Sequence, residues 1–250
     1  VALFRNKYNV EEKRFRDGRL DTTDFKTTGF DIYNVSAWDV SGRSLALTYG
    51  VEFFRDSQSG TRNDAAREQF PTANVDYYGA YVQMDWEIAK DLSLIPTLRY
   101  DNYKFDSDGT HPGRSEDQFS PKISVGYNLG DHVYLWGAYG EAFRAPSLTE
   151  LYADGVHFSF GFPGDSPGAP GMFFLNEFLP TPELLPEKSR TFEFGFRARA
   201  NDLLGEGDEF SLSASYFNSK VDNYIEQVVH DFGAPRFDPM TFSLVFEAVT

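Results

Sequence analysis

Thr191-Phe192-Glu193-Phe194-Gly195-Phe196-Arg197-Ala198-Arg199-Ala200 is the stretch that decides the fold. Extended backbone sends successive side chains to opposite faces. Phe192, Phe194, Phe196 and Ala198 therefore share one side, and Thr191, Glu193, Arg197 and Arg199 the other. Outward from it the same period of two recurs. Leu45, Leu47, Tyr49, Val51 and Phe53 share a face in 44–54. Tyr78, Ala80, Val82, Met84, Trp86 and Ile88 do so in 75–88, opposite Gln83, Asp85 and Glu87. In 118–129, Phe119, Pro121, Ile123, Val125, Tyr127 and Leu129 oppose Ser120, Lys122, Ser124 and Asn128. Segments 92–105, 132–143 and 209–229 also read as strands, while 1–15, 23–38 and 242–250 carry a weaker pattern. The reading is about ten strands and no helix. Pro96 and Pro121 fall inside strands, where proline removes a ladder hydrogen bond, so a bulge or an interrupted ladder is expected at each.

Alternation serves a soluble sandwich and a membrane barrel equally, but the connections separate them. Those at 39–43, 89–91, 130–131 and 201–208 are short. Those at 16–22, 55–74, 106–117, 144–190 and 230–241 are mostly longer and richer in Gly, Pro, Asp and Ser, and the two kinds alternate along the chain. Short turns at one end and long loops at the other are the layout of an outer-membrane barrel. Several strands are also long enough to cross its apolar band. The fold class expected is all-β, an antiparallel transmembrane β-barrel, with 55–74, 106–117 and 144–190 on the outer side.

Composition agrees. Aromatic residues make up 17% of the 250, at a mean hydropathy of only −0.44, a combination suited to barrels with aromatic girdles. The formal charge of −15, from 38 acidic and 23 basic residues, argues against nucleic acid as a partner, because phosphate binding needs a basic face. Without cysteine there is no disulfide framework, thiolate metal site or cysteine nucleophile. No apolar run is long enough for a transmembrane helix, and no signal peptide opens the chain. Val1 and the final Phe246-Glu247-Ala248-Val249-Thr250 both look like mid-strand, so the chain reads as an internal piece of a longer one.

The longest connection is bracketed by two segments. Phe143-Arg144-Ala145-Pro146-Ser147-Leu148-Thr149-Glu150-Leu151-Tyr152 opens it and Pro182-Glu183-Leu184-Leu185-Pro186-Glu187-Lys188-Ser189 closes it, with His157 between. Long loops of this kind carry binding sites. The opening segment resembles the FRAP box of TonB-dependent outer-membrane receptors, and the closing one the companion NPNL box, with Thr181 where that box has asparagine. Leu98-Arg99-Tyr100-Asp101, Phe119-Ser120-Pro121-Lys122 and Asp222-Asn223-Tyr224-Ile225 resemble recurring barrel segments of the same family. The resemblance implies a 22-stranded barrel closed by an N-terminal plug, a known size class of plugged transporter. Residues 1–250 would then be a partial barrel domain. The plug with its TonB contact, and about half the wall, would lie outside it.

A histidine between the two boxes resembles the haem and haemoglobin receptor branch, where it is an axial haem ligand in an outer loop. The resemblance thus implies a bacterial outer-membrane receptor, not an enzyme. Haem, free or carried by a haemoprotein, is the transported ligand, with the TonB complex and outer-membrane lipid as partners. The alternative is a ferric-siderophore receptor of the same family. Imidazole is a strong iron ligand, and Phe158, Phe160, Phe162, Phe173, Phe174 and Phe178 offer flat surfaces for a porphyrin. A lone loop histidine otherwise hydrogen-bonds backbone, and the phenylalanines pack the loop on itself. Tyr152 offers a phenolate ligand or girdle packing, and Arg144 a propionate partner or an ion pair with Glu141 or Glu150. Pro146, Pro182 and Pro186 stiffen the loop ends. His111 and His230 fall in outer loops and His132 beside an inner turn. Asp154, His157 and Asp165 form a loose zinc-like set. Gly164-Asp165-Ser166-Pro167-Gly168 matches a nucleophile elbow without the strand-to-helix turn that gives it meaning.

Overall fold

The computed structural model describes residues 1–108, 111–162, 170–229, 236–239 and 243–249. Its elements are β1 (Ala2–Lys13), β2 (Leu20–Asp39), β3 (Ser44–Arg62), β4 (Ala65–Ala66), β5 (Ala73–Ala89), β6 (Leu92–Ser107), β7 (Arg114–Leu129) and β8 (Val133–Arg144). A short helix α1 (Leu148–Tyr152) follows, then β9 (Gly155–Phe162), β10 (Gly171–Phe178), β11 (Glu187–Asn201), β12 (Glu209–Asp222), β13 (Arg236–Asp238) and β14 (Ser243–Val249). One antiparallel wall runs β1-β2-β3-β5-β6-β7-β8-β11-β12, with β4 beside β3.

Register aligns the apolar faces into continuous rows. Ile32, Val51, Ala80, Tyr100 and Phe119 stand opposite one another in turn, as do Val125, Gly137, Phe194 and Tyr216. Among the described residues this face is uncovered: Phe192 and Phe194 remain 49% and 50% exposed, without the second sheet that a sandwich requires. The other face is polar. Arg99 donates to Glu52 at 2.7 Å and to Asp101 at 2.8 Å, and the Tyr77 hydroxyl joins the same group. Apolar residues outward and a polar network inward are what a membrane-barrel wall needs.

Both prolines interrupt a ladder as expected. Between β5 and β6 the pairing passes from Gln83–Thr97 to Trp86–Leu94, skipping Pro96. Between β7 and β8 it starts at Lys122–Gly140, so from Pro121 upward β7 pairs with β6 alone. Several expectations change. The strand expected over 209–229 ends at Asp222, where Asn223 takes a left-handed φ of 56° that extended backbone does not allow. β3 continues to Arg62 rather than ending near 54, because the polar run Arg55-Asp56-Ser57-Gln58 can keep its backbone paired above an apolar band. Of segment 242–250, Ser243–Val249 is a strand but not part of the wall. β14 runs parallel to β10 in a second sheet, β13-β14-β10-β9, where Val245 is 4% exposed and therefore buried. The connection 144–190, expected without regular structure, holds the helix α1 and the strands β9 and β10.

Candidate functional site

The loop base is built from the two boxes. Ser147-Leu148-Thr149-Glu150 is a capping-box sequence. The Ser147 hydroxyl accepts from Glu150 N–H at 3.2 Å and the Ser147 N–H donates to Glu150 Oε2 at 2.7 Å. The spacing of Leu148, Leu151 and Tyr152 puts all three on one helical face. They bury against Ala73, Val75 and Phe105 on the inner side of the wall, with Ala145, Tyr103 and Leu184 around them. The buried ring of Pro146 leads the chain in, and Phe143 packs edge-on to Tyr103 at 5.5 Å.

The second box docks on this helix. Thr181 donates its hydroxyl to Glu150 O at 2.7 Å and its N–H to Leu151 O at 2.9 Å, occupying carbonyls the helix end leaves free. Arg114 reaches from β7 to Pro182 O at 2.6 Å and Leu184 O at 2.9 Å, while Glu183 points to solvent. Arg144 is held by two carboxylates, Glu187 at 3.0 and 3.1 Å and Glu150 at 2.9 and 3.2 Å. Burial pushes the Glu150 carboxyl up. The hydrogen bonds from Arg144 and Ser147 outweigh it, so its pKa lies below the ordinary value. The Arg144 guanidinium is raised correspondingly by Glu187 and Glu150. The ion pair expected with Glu150 is present, and Glu187 takes the place considered for Glu141, which instead accepts from Tyr139. Tyr152 is 0% exposed, inside the apolar cluster with His111 stacked on it at 5.5 Å, and burial pushes its phenol up. Arg144 and Tyr152 therefore belong to the loop base.

His157, Phe158 and Phe160 stand together on β9. Gly155, at φ 75°, turns the chain from α1 into the strand, a conformation that costs glycine least. Opposite β10, Val156 faces Glu177 and Phe158 faces Asn176, so His157 is the extra residue of a β-bulge. Strict alternation would send His157 away from Phe158 and Phe160, and the bulge re-aims it. Its ring lies 5.2 Å from Phe158 and 4.3 Å from Phe178, with Nδ1 2.9 Å from Asn176 Oδ1. A carboxamide oxygen only accepts, so in this contact Nδ1–H is the donor and Nε2 is the ring nitrogen left outside the bond. Beyond it Phe158, Phe160 and Phe162 are 49%, 46% and 54% exposed, and Phe160 stacks on Phe174 at 4.9 Å. The site is an exposed imidazole, its Nδ1 engaged by Asn176, beside an aromatic shelf. Loop 63–72 supports it from behind, through Gln69 to His157 O at 3.5 Å and Glu68 O to Asp154 N–H at 3.3 Å.

Among the described residues no three His, Asp or Glu side chains group around a metal position. Asp165, the Ser166 elbow and His230 lie outside the described residues. His132 sits at a short turn on the wall's other end, where its carbonyl accepts from Arg199 N–H at 2.8 Å. Sequence reading missed the helix, although the capping box spells it, and missed Asn176, a lone amide in an apolar run whose partner only pairing reveals.

Known proteins resemble this chain along most of its length. It is 35% identical over 193 residues to a hemin receptor of Yersinia enterocolitica, covering 76% of this chain and 26% of that protein. It is 29% identical over 231 residues to the heme/hemopexin utilization protein C of Haemophilus influenzae, covering 90% and 30%. The chain thus spans under a third of these curated relatives. The fold overlays the Serratia marcescens hemophore receptor HasR, solved as a double mutant with its hemophore HasA and heme, at TM-score 0.74 and 22% identity, over 98% of this chain and 40% of that one. The family model of the TonB dependent receptor-like β-barrel matches residues 3–241, and with these strands, this register and these two boxes the chain belongs to that family.

Proposed function

We propose that this chain supplies part of the wall and outer loops of a bacterial outer-membrane receptor that takes up haem, free or from a haemoprotein. A plug and further wall strands carried elsewhere in the complete protein would close the barrel, and TonB would drive transport through that plug. The observation that carries this reading is the His157 site: an imidazole held at Nδ1 by Asn176 beside a shelf of exposed phenylalanines. Imidazole supplies an axial iron ligand, and the flat rings suit a porphyrin face. Similarity to a hemin receptor and a heme/hemopexin utilization protein supports the same ligand. Release into the barrel needs no bond chemistry, so this is a receptor and transporter rather than an enzyme. Arg144 and Tyr152 act one step back, anchoring the loop that carries His157.

The test is haem titration of the complete receptor, wild type against His157→Ala. Loss of affinity together with a changed Soret band is expected. An unchanged spectrum and affinity would sink the axial-ligand reading and leave a ferric-siderophore receptor as the alternative.

A further inference from the structure

The bulge at His157 does more than turn a ring outward. It brings that ring onto a particular partner, the side chain of Asn176, which is 2% exposed and directly opposite Phe158. We infer that Asn176 is the positioning residue of this site: its Oδ1 holds the His157 Nδ1–H and so sets the tautomer, the ring plane and the donor strength of Nε2. The inference rests on the axial-ligand reading above.

Three observations carry it. The contact is 2.9 Å, a full hydrogen bond between two side chains on different strands. The ring also packs against Phe158, 5.2 Å away at 65°, and Phe178, 4.3 Å away at 31°, contacts that a rotation about the Cβ–Cγ bond would alter. The backbone beneath is held too, by the Gln69 amide on His157 O and by β14 laid parallel along β10. A metal-bound imidazole whose second nitrogen donates to a fixed acceptor is a stronger and better oriented ligand. Here the acceptor is a neutral amide, which favours the Nδ1–H tautomer without making the ring anionic. A carboxylate in the same place would pull the proton harder and push more electron density onto iron.

The experiment uses the complete receptor with haem and three variants. Asn176→Leu removes the acceptor at similar volume, Asn176→Asp strengthens it, and His157→Ala removes the ligand itself. The readouts are haem affinity, the Soret band and the reduction potential of bound haem. Asn176→Leu should weaken haem about tenfold, the lower end for loss of an outer partner, and raise the potential. Asn176→Asp should retain the Soret band and lower the potential. Opposite shifts separate a hydrogen bond from simple packing, which would move both variants the same way. Wild-type affinity and potential in both Asn176 variants, while His157→Ala loses the band, would overturn this inference and spare the axial-ligand reading. A His157→Ala variant indistinguishable from wild type would overturn both.

Discussion

Leu151→Ala should detach the loop base without unfolding the wall. Leu151 is 0% exposed and packs from α1 onto the inner face of β5 and β6, against Val75 and Phe105. Removing a buried leucine side chain costs ~2.7–5 kcal/mol, the spread depending on how far the site collapses. One side of this site is a strand ladder paired to both neighbours, which cannot move inward, so a value near ~3 kcal/mol is a conservative choice. The cost falls on a local opening, because the wall is held by its own pairing and α1 is only five residues long. Three amides report on that opening: Leu151 N–H to Ser147 O, Ala153 N–H to Thr149 O, and Thr181 N–H to Leu151 O. At tenfold per 1.4 kcal/mol, ~3 kcal/mol means these exchange roughly 100-fold faster in the variant under fast-reclosing conditions. Hydrogen–deuterium exchange by mass spectrometry on the complete receptor resolves peptides 145–155 and 179–185. If both keep wild-type protection, the packing argument is refuted. If the wall strands lose protection to the same degree, the loop base is not a separate unit.

Ser147→Ala removes the cap and should cost ~1 kcal/mol, about fivefold faster exchange at the same amides; no change would mean the capping box contributes nothing. Glu150 has a depressed pKa when folded, so its contribution is complete above the ordinary glutamate value of about 4.3 and is lost as pH falls through the folded-state value. Opening of the loop base, corrected for intrinsic exchange, should therefore increase as pH drops below about 4.3, and Arg144→Gln should flatten that dependence. An equally steep profile in Arg144→Gln would exclude the ion pair as its cause. Phe194→Arg puts a charge on the uncovered apolar face and should cost ~2–4 kcal/mol if that face meets lipid at mid-depth, whereas Glu193→Gln on the inner face should be tolerated. The heat-modifiable folded fraction in outer membranes reads this out, and equal yields for the two variants would argue against a lipid-facing wall.

Much of this molecule could be read along the chain. Period-two alternation over Phe192–Ala198 and its counterparts determined strands, faces and which face is apolar, because strand side chains alternate whatever the strand pairs with. Pro96 and Pro121 marked their ladder interruptions for a similarly local reason, the missing N–H. Other features depended on partners distant in sequence. Arg144 could be paired to Glu187 only once β8 and β11 lay side by side. The role of 243–249 followed from parallel pairing with β10 some seventy residues earlier. Most of all, read along the chain His157 sits in a loop without a facing; strict alternation along β9 would set it opposite Phe158, and the bulge against Asn176 brings it onto the same face. An extra residue in one strand is defined only relative to its partner, so only the tertiary structure could decide where that imidazole points.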